Sequence, residues 1–285
     1  MSGSLIDIHP HIISTDTVRY PVAPLGGKRS EWSSLRPVDF GQLVAGMDAA
    51  GISKAAIVHS STTYGYDNSY LADAIADHLD RFTGVFSVDV LSADAPERIR
   101  YWLGRGLTGL RLFAAGSTVK TNQGWIAEPA TYPSWKYCSD HGIPVAISMR
   151  QEGLPYLVEV MKRFPDVRII LDHLLHAPMG DGPPYQAAAP LFAMADWPNV
   201  YLKLTSAIIR HTHDEPATPQ SFFGLLLQRF GSARIAWGSN FPAVAGTLPE
   251  LTAKSRATLS FLPAADQENI FSGTALSLYP SLVGP

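Results

Sequence analysis

The sequence predicts a single α/β domain, a distorted (β/α)8 barrel spanning residues 1–285, on three observations. Eight short apolar runs recur along the chain, segments of helical periodicity separate them, and no glycine-rich phosphate turn follows the first run as an open dinucleotide-binding sheet would require. Runs such as AAIV, RIIL and PVAI show no polar alternation. Strands read this way when helices cover both faces of a parallel sheet. The length suits one barrel, and a composition 46% hydrophobic and 16% charged can fill its core.

In order, the first strand is expected at Leu5–His9, followed by a long loop, Ile12–Pro37, and a helix at Asp39–Ala50 with Asp39 as cap and Gly51 as stop. Strand Lys54–His59 leads to helix Tyr70–Leu79, and Phe82–Val88 to Ala95–Arg105, closed by Gly106. Strand Leu107–Phe113 precedes a second long loop, Ala114–Tyr132, and helix Pro133–His141. Strand Pro144–Ser148 pairs with helix Leu154–Phe164, which stops at Pro165. Arg168–His173 is followed by loop His176–Ala187 and helix Ala187–Asp196. Val200–Leu204 is followed by loop Ser206–Pro219 and helix Pro219–Phe230. The eighth strand, Arg234–Gly238, precedes helix Pro249–Leu259, and Asp266–Leu278 closes the barrel. All four long loops follow the carboxyl end of a strand, the face on which barrels build their sites.

Composition narrows the partners. The formal net charge is −3, and no Lys/Arg cluster is interleaved with aromatics, so nucleic acid is not an expected partner. No basic segment leads into an apolar run at the N-terminus, and no stretch approaches the roughly 18 apolar residues of a membrane span, so neither secretion nor a membrane is expected. The single cysteine, Cys138 in WKYCSDHG, excludes an internal disulfide and suits a reducing cytoplasm. It reads as a small buried hydrophobe on a helix. A small-molecule substrate remains the expected partner; self-association is compatible with the sequence, which sets no subunit count.

His9 and His11, in DIHPHI, follow the first strand. Residues two apart on a strand project to one side, so both imidazoles would enter the barrel mouth together, and neutral imidazole is a common ligand for zinc-like cations. The bland alternative is two polar residues that open a loop without a joint role. His173 ends the sixth strand in RIILDHLLH and falls on the same face, whereas Asp172 should alternate away from it as packing or hydrogen-bonding support. Asn240 follows the eighth strand in WGSNFP. Its amide can hold a water or a carbonyl but cannot take a proton from water at neutral pH. Lys203, in YLKLTS, alternates with leucines and reads as a charge inside the barrel. His211 and His213 read as exposed, part of a lid, and His78 and His141 as helix-surface residues.

The motifs DIHPH, VHSSTTYGYDNSYL, GLRLF, LDH, YLKLTS and WGSNFP occur in this order over nearly the whole chain. Together they resemble the amidohydrolase superfamily in its amidohydrolase-2 branch, and within it the lactonase group of 2-pyrone-4,6-dicarboxylate lactonase and fuconolactone-type hydrolases. The resemblance implies a distorted barrel that opens a lactone or cleaves a related ester or amide. The family's H-x-H pair falls on His9 and His11, its later strand-end histidine on His173, and its last-strand carboxylate on Asn240. The amide at that position leaves metal and general base open. The Lys or His with which dinuclear relatives end the fifth strand is absent, since Ser148, Met149 and Arg150 stand there, so the expected cofactor is none or one divalent ion held by His9, His11 and His173. The pyrone lactonase type works without a metal.

Substrate-facing candidates come from the other strand ends. Arg111 either pairs a substrate carboxylate in two-pronged fashion or bridges strands, and Arg150 offers the same choice. His59, Ser61, Tyr64 and Asn68 follow the second strand, where the lactonase group binds substrate; a loop that only caps a helix is the alternative. The expected function is hydrolysis of a small, carboxylate-bearing lactone or ester. The alternatives are a metal-dependent decarboxylase of an aromatic or unsaturated acid and a non-catalytic barrel that binds a small acid.

Overall fold

The structure, a computed structural model, describes residues 4–283 apart from 117, 119–121 and 215. Part of the loop read over Ala114–Tyr132 and one position of Ser206–Pro219 therefore lie outside the described residues.

Eight strands form one sheet in sequence order: β1 Leu5–Asp7, β2 Ile52–Val58, β3 Phe82–Phe86, β4 Leu107–Phe113, β5 Val145–Ser148, β6 Ile169–Leu171, β7 Val200–Thr205 and β8 Ile235–Gly238. Each pairs in parallel with the next. The seam between β8 and β1 is closed by single bonds rather than a ladder. Ile8 N–H donates to Trp237 O at 3.3 Å, Ser239 N–H to Asp7 Oδ1 at 2.8 Å, and His11 N–H to Phe241 O at 2.8 Å. The expected distortion of the barrel sits here.

Helix Phe40–Ala50 begins as read from the sequence. Asp39 accepts from Gln42 N–H while Gln42 reaches back to the Asp39 N–H, and Gly51 stops the helix with φ 70°. Other bounds change. The helix read as Tyr70–Leu79 is Ser69–Ile75, and His78 bonds back to Ile75 in a turn. The segment Ala187–Asp196 is a short α-helix, Ala189–Ala193, between two 3-10 turns, and the last helix is interrupted by a π-turn at Asn269–Gly273. Three short α-helices, Glu31–Leu35, Ser61–Tyr64 and Ser206–His211, lie in segments read as loop.

The core has two shells. Between sheet and helices lie residues such as Leu43, Met47, Phe82, Ile99, Leu157 and Phe222. Inside the barrel, Ile6, Ile8, Ala56, Val58, Val85, Ala146, Ile170 and Ala236 pack against Ala275, Leu278, Tyr279 and Leu282, so the C-terminal helix plugs the barrel. Gly109 makes room for the plug, since a Cβ there would stand 2.8 Å from a Tyr279 ring carbon. Cys138 is buried in helix Tyr132–Asp140, and burial pushes its thiol up to about 12, which leaves it inert. Among the described residues no helix is long and apolar enough to cross a membrane.

The seam depends on Gly238. A Cβ there would meet His9 Cβ at 2.6 Å and His9 N at 3.1 Å, and neither can yield without moving β1. Gly238→Ala should cost about 1–3 kcal/mol in denaturant unfolding, as overpacking does, and should displace His9. A variant of wild-type stability would show that the seam is not tight.

Candidate active site

On the side facing β8, the end of β1 is held by a carboxylate rather than by a ladder. Asp7 Oδ1 accepts from His9 N–H at 2.9 Å and from Ser239 N–H at 2.8 Å, which turns the chain and carries His9 and His11 over the barrel mouth. The rings of His9 and His11 lie 4.9 Å apart and nearly perpendicular, and His173 stands 4.8 Å from His9 on another side. All three are buried.

Burial sets their protonation, and a backbone bond fixes the tautomer of His11. Val58 O accepts from His11 Nδ1–H at 2.8 Å, because a carbonyl cannot donate, and this leaves the His11 Nε2 lone pair free. His173 Nδ1 pairs with Thr205 Oγ1 at 2.9 Å. Neither ring nitrogen of His9 has a hydrogen-bond partner among the described residues. Burial, reinforced by Arg111, pushes His11 down to about 3. Burial likewise takes His173 to about 3 against the pull of Asp172, and burial and Lys203 hold His9 well below the usual range. At neutral pH the site presents three uncharged imidazoles.

His173 arrives by an unforeseen route. Alternation along β6 turns Asp172, not His173, into the barrel, and the strand ends at Leu171. The chain then makes a left-handed turn, with φ of 53°, 48°, 56° and 52° at His173, Leu174, Leu175 and His176. That turn swings the His173 ring back over the mouth and sets the His176 ring 5.1 Å from it. Left-handed residues with a Cβ cost about 1–2 kcal/mol each, so the surrounding packing holds the turn in place.

Asp172 is therefore corrected from a residue facing away to the centre of the buried site. Its Oδ2 accepts from Arg111 Nε at 3.0 Å, and its Oδ1 lies 2.8 Å from Lys203 Nζ, an ion contact whose angle is off hydrogen-bond geometry. His9 Nδ1 stands 3.8 Å from the same oxygen. Burial alone would raise the Asp172 carboxyl, but Lys203 and Arg111 hold it far below the usual carboxylate range. Burial lowers the Lys203 ammonium, and Asp172 opposes the shift. Lys203 is the interior charge its alternation predicted, and Arg111 bridges strands while also lining the cavity.

The cavity above this cluster holds about 200 Å³ and is lined by His9, His11, Arg111, His173, Asn240 and Ser61 among the residues proposed from sequence. Trp32, Phe113, Ser148 and His176 also line it, with Ser60, Thr62, Gly116, Ala207 and Ala243. Trp32 stacks on His11 with ring centroids 5.1 Å apart, and Phe113 lies under the Arg111 guanidinium at 5.2 Å. Sequence reading missed both aromatics. Trp32 sits in the short helix Glu31–Leu35, inside a segment read as loop without periodicity, where loop length was the one available signal.

Four proposed substrate residues are turned elsewhere. His59 Nε2 bonds Gly65 O at 2.9 Å, and burial lowers this imidazole to about 4. The Tyr64 hydroxyl accepts from Ser14 N–H at 2.7 Å. Asn68 is held by both backbone groups of Ser87, at 2.9 Å each. These three brace the loop after β2, and none of their side chains caps a helix, so neither the substrate role nor the capping alternative describes them. Arg150 is exposed and lines a neighbouring cavity with His176 and His211. His211 is exposed and pairs with Asp214 at 3.2 Å, and His213 reaches Thr258 at 3.1 Å.

His9, Asp172 and His173 offer ligand atoms within 4.8 Å of one another, the grouping among the described residues that could take one metal ion; His11, expected as a ligand, is not part of it. Two neutral imidazoles and a carboxylate suit a divalent cation in donor type. The electrostatics do not fit. Each Asp172 oxygen already faces a fixed cation, so one carboxylate stands against Lys203 and Arg111 before any ion arrives. Asn240 adds no charge.

A curated relative, the L-fucono-1,5-lactonase of Burkholderia ambifaria, is 26% identical over 210 residues, which is 72% of this chain and 69% of the relative. Among solved structures, a Pseudomonas putida protein assigned as a 2-pyrone-4,6-dicarboxylic acid hydrolase superposes with a TM-score of 0.77 at 19% identity, covering 99% of both chains. An amidohydrolase of Burkholderia multivorans with bound zinc gives 0.77 at 20% identity over 99% of this chain and 100% of its own. A 2,6-dihydroxybenzoate decarboxylase from Rhizobium gives 0.67 at 16% identity over 98% and 99%. At these identities the likeness to the solved structures is one of fold. The profile of the amidohydrolase family (Amidohydro_2) matches residues 6–281, and the chain belongs to that family.

Proposed function

We propose that the protein hydrolyses a small lactone or related activated ester that carries a carboxylate. One observation carries the reading: His9 has an unpartnered Nε2 and stands with its Nδ1 3.8 Å from the buried Asp172 carboxylate, at the mouth of a cavity of about 200 Å³. The lactonase activity of the Burkholderia ambifaria relative supports it.

In this mechanism a water held by the Asn240 amide attacks the lactone carbonyl carbon. A neutral imidazole pushed down this far is a weak resting base. It serves because Asp172 stabilises the imidazolium that forms as the proton leaves the water, an effect confined to the transition state. His9 is the histidine best placed for this role, at 3.8 Å from the carboxylate. Arg111, whose Nε alone is committed to Asp172, holds the substrate carboxylate or the developing oxyanion. The ring C–O bond then breaks, and the proton passes from the imidazolium to the leaving alkoxide to give the hydroxy acid. No step passes through a metal. The single buried Cys138 suits a reducing cytoplasm.

Purified protein should hydrolyse at least one compound in a panel of carboxylated lactones and esters at a rate insensitive to a strong chelator, and His9→Ala should lose about 10²–10⁴-fold, the usual contribution of a general base. Turnover abolished by chelation would restore the metal and with it the decarboxylase alternative. A protein inert towards the whole panel would be better read as a binder of small acids.

Asp172→Asn should abolish this activity and also destabilise the fold by about 3–5 kcal/mol, because two buried cations lose their counter-charge. Chemical denaturation measures the second effect. Wild-type stability in that variant would mean that water reaches Lys203.

A further inference from the structure

Trp32 lines the cavity and stacks on His11, yet the segment that carries it has little hydrophobic anchorage of its own. Among the described residues, Tyr20 is the one apolar side chain that the stretch 14–37 buries, beside Ser14, Ser30 and Ser33. The helix Glu31–Leu35 has five residues, and the Ser30 hydroxyl at its N-terminus does not cap it but pairs with Thr62 at 2.8 Å. Helices shorter than about 12 residues are not stable alone. Contacts with the rest of the protein must therefore place Trp32.

Those contacts fall into two groups. Near the cavity, Ser30 is tied to Thr62, Ala23 N–H donates to Thr63 O at 2.8 Å, and Arg36 donates to Pro242 O and Ala243 O at 3.3 and 3.1 Å. Farther out, one carboxylate gathers the ties. Asp73, on helix Ser69–Ile75, accepts from Arg105 with Oδ1 and from the Tyr20 hydroxyl and Arg19 with Oδ2, each at 2.7 Å. Arg105, just past helix Ala95–Leu103, thus orients the carboxylate so that its second oxygen faces the segment.

Exposed ion pairs contribute little singly, but Tyr20 is buried. Its ring forms a small apolar cluster with Ile13 and Tyr64, apart from both shells of the core, and Trp32 and Tyr70 pack against that cluster. The Tyr20 and Tyr70 rings stand 4.9 Å apart. A contiguous chain of contacts runs from Asp73 through Tyr20 and its cluster to Trp32 and His11.

We propose that Asp73 is a positioning residue of the active site: it holds Tyr20 in the cluster that backs Trp32, and so sets the Trp32 wall against His11. Asp73 itself does not line the cavity. A wall contacts bound substrate in the ground state and the transition state alike, so its displacement weakens binding and spares the chemical step. This kinetic consequence rests on the hydrolase reading; the placement of Trp32 does not.

Asp73→Ala, Tyr20→Phe and the double variant test the proposal, with Asp140→Asn, which loses an exposed carboxylate bonded to Lys136, as control. Hydrogen exchange of the helix Glu31–Leu35 should quicken about five- to ten-fold in Asp73→Ala and less in Tyr20→Phe. The double variant should match Asp73→Ala, because both changes break one chain of contacts. Asp73→Asn, which keeps an oxygen for Tyr20, should recover part of the protection. On a lactone that is hydrolysed, KM should rise about three- to ten-fold in Asp73→Ala while kcat stays within about two-fold. Unchanged exchange in both single variants would overturn the proposal. So would effects that add in the double variant, an equal effect in the control, or a fall in kcat with KM unaltered. If no lactone is hydrolysed, the hydrolase reading fails and the exchange rates alone decide the proposal.

Discussion

A fully buried carboxylate, Asp172, sits between two buried cations, Lys203 and Arg111, and the rest of the site is arranged around it. The three groups come from β6, β7 and β4, so the ion cluster also ties together strands that are not all neighbours. An unpaired charge would be intolerable at this depth. Together the three leave one positive charge in excess beneath the histidines, and the interior hydrophobic packing of Ile6, Ile8, Val58 and Ile170 leaves little room for that charge to be solvated. Burial above all keeps His9, His11 and His173 neutral, with Lys203 and Arg111 adding to it, and the excess opposes a divalent cation and provides a field that attracts an anionic substrate to the mouth.

The same economy of position governs the seam. Most barrels close by a ladder between first and last strands; here β1 is three residues long, and the Asp7 side chain takes the place of ladder bonds by accepting from both sides of the gap. The arrangement frees the chain after Asp7 to leave the sheet, which it must do if His9 and His11 are to reach the cavity rather than pack against helices. Gly238 completes it by letting the His9 backbone approach β8 more closely than any side chain would permit. Closure of the barrel and presentation of the first two histidines are thus one structural event.

These relations decide how far the sequence could be read. The eight strands and their order were legible because burial on both faces forces continuous apolar runs, and β4 was located to the residue. His9, His11, His173 and Asn240 were recognisable as a group because each ends or follows such a run, and Arg111 because it interrupts one near its end. Asp172 was misjudged because His173 was taken as the inward residue of β6 and Asp172 was turned away from it; alternation from Ile170 carries Asp172 inward, and His173 reaches the mouth only through a backbone that has turned left-handed. No residue in DHLLH is a glycine or asparagine that would announce such a turn. His59, Tyr64 and Asn68 were drawn towards substrate by their place after β2, yet that stretch folds into a short helix, Ser61–Tyr64, whose polar groups brace one another. Trp32 could not be placed at all. Its stacking on His11 joins residues 21 positions apart through a segment with no periodic signal, and the helix that carries it, Glu31–Leu35, is only five residues long.

The left-handed run at His173–His176 bears on why the site has this form. Had β6 continued straight, His173 would face the helices, and Asp172 would keep Lys203, Arg111 and His9 beside it but stand without a second imidazole over the mouth. By turning, the chain places a carboxylate and an imidazole from adjacent positions on the same side, which an extended strand forbids. The backbone strain is held by buried Leu174 and Leu175 and by the Thr205 bond to His173, all of which anchor the turn from outside the cavity. Strain stored in this way stiffens the site. The imidazoles are fixed by main-chain and neighbouring contacts before substrate arrives, so little reorganisation remains when charge develops on the carbonyl oxygen, and electrostatic stabilisation of a transition state depends on that condition.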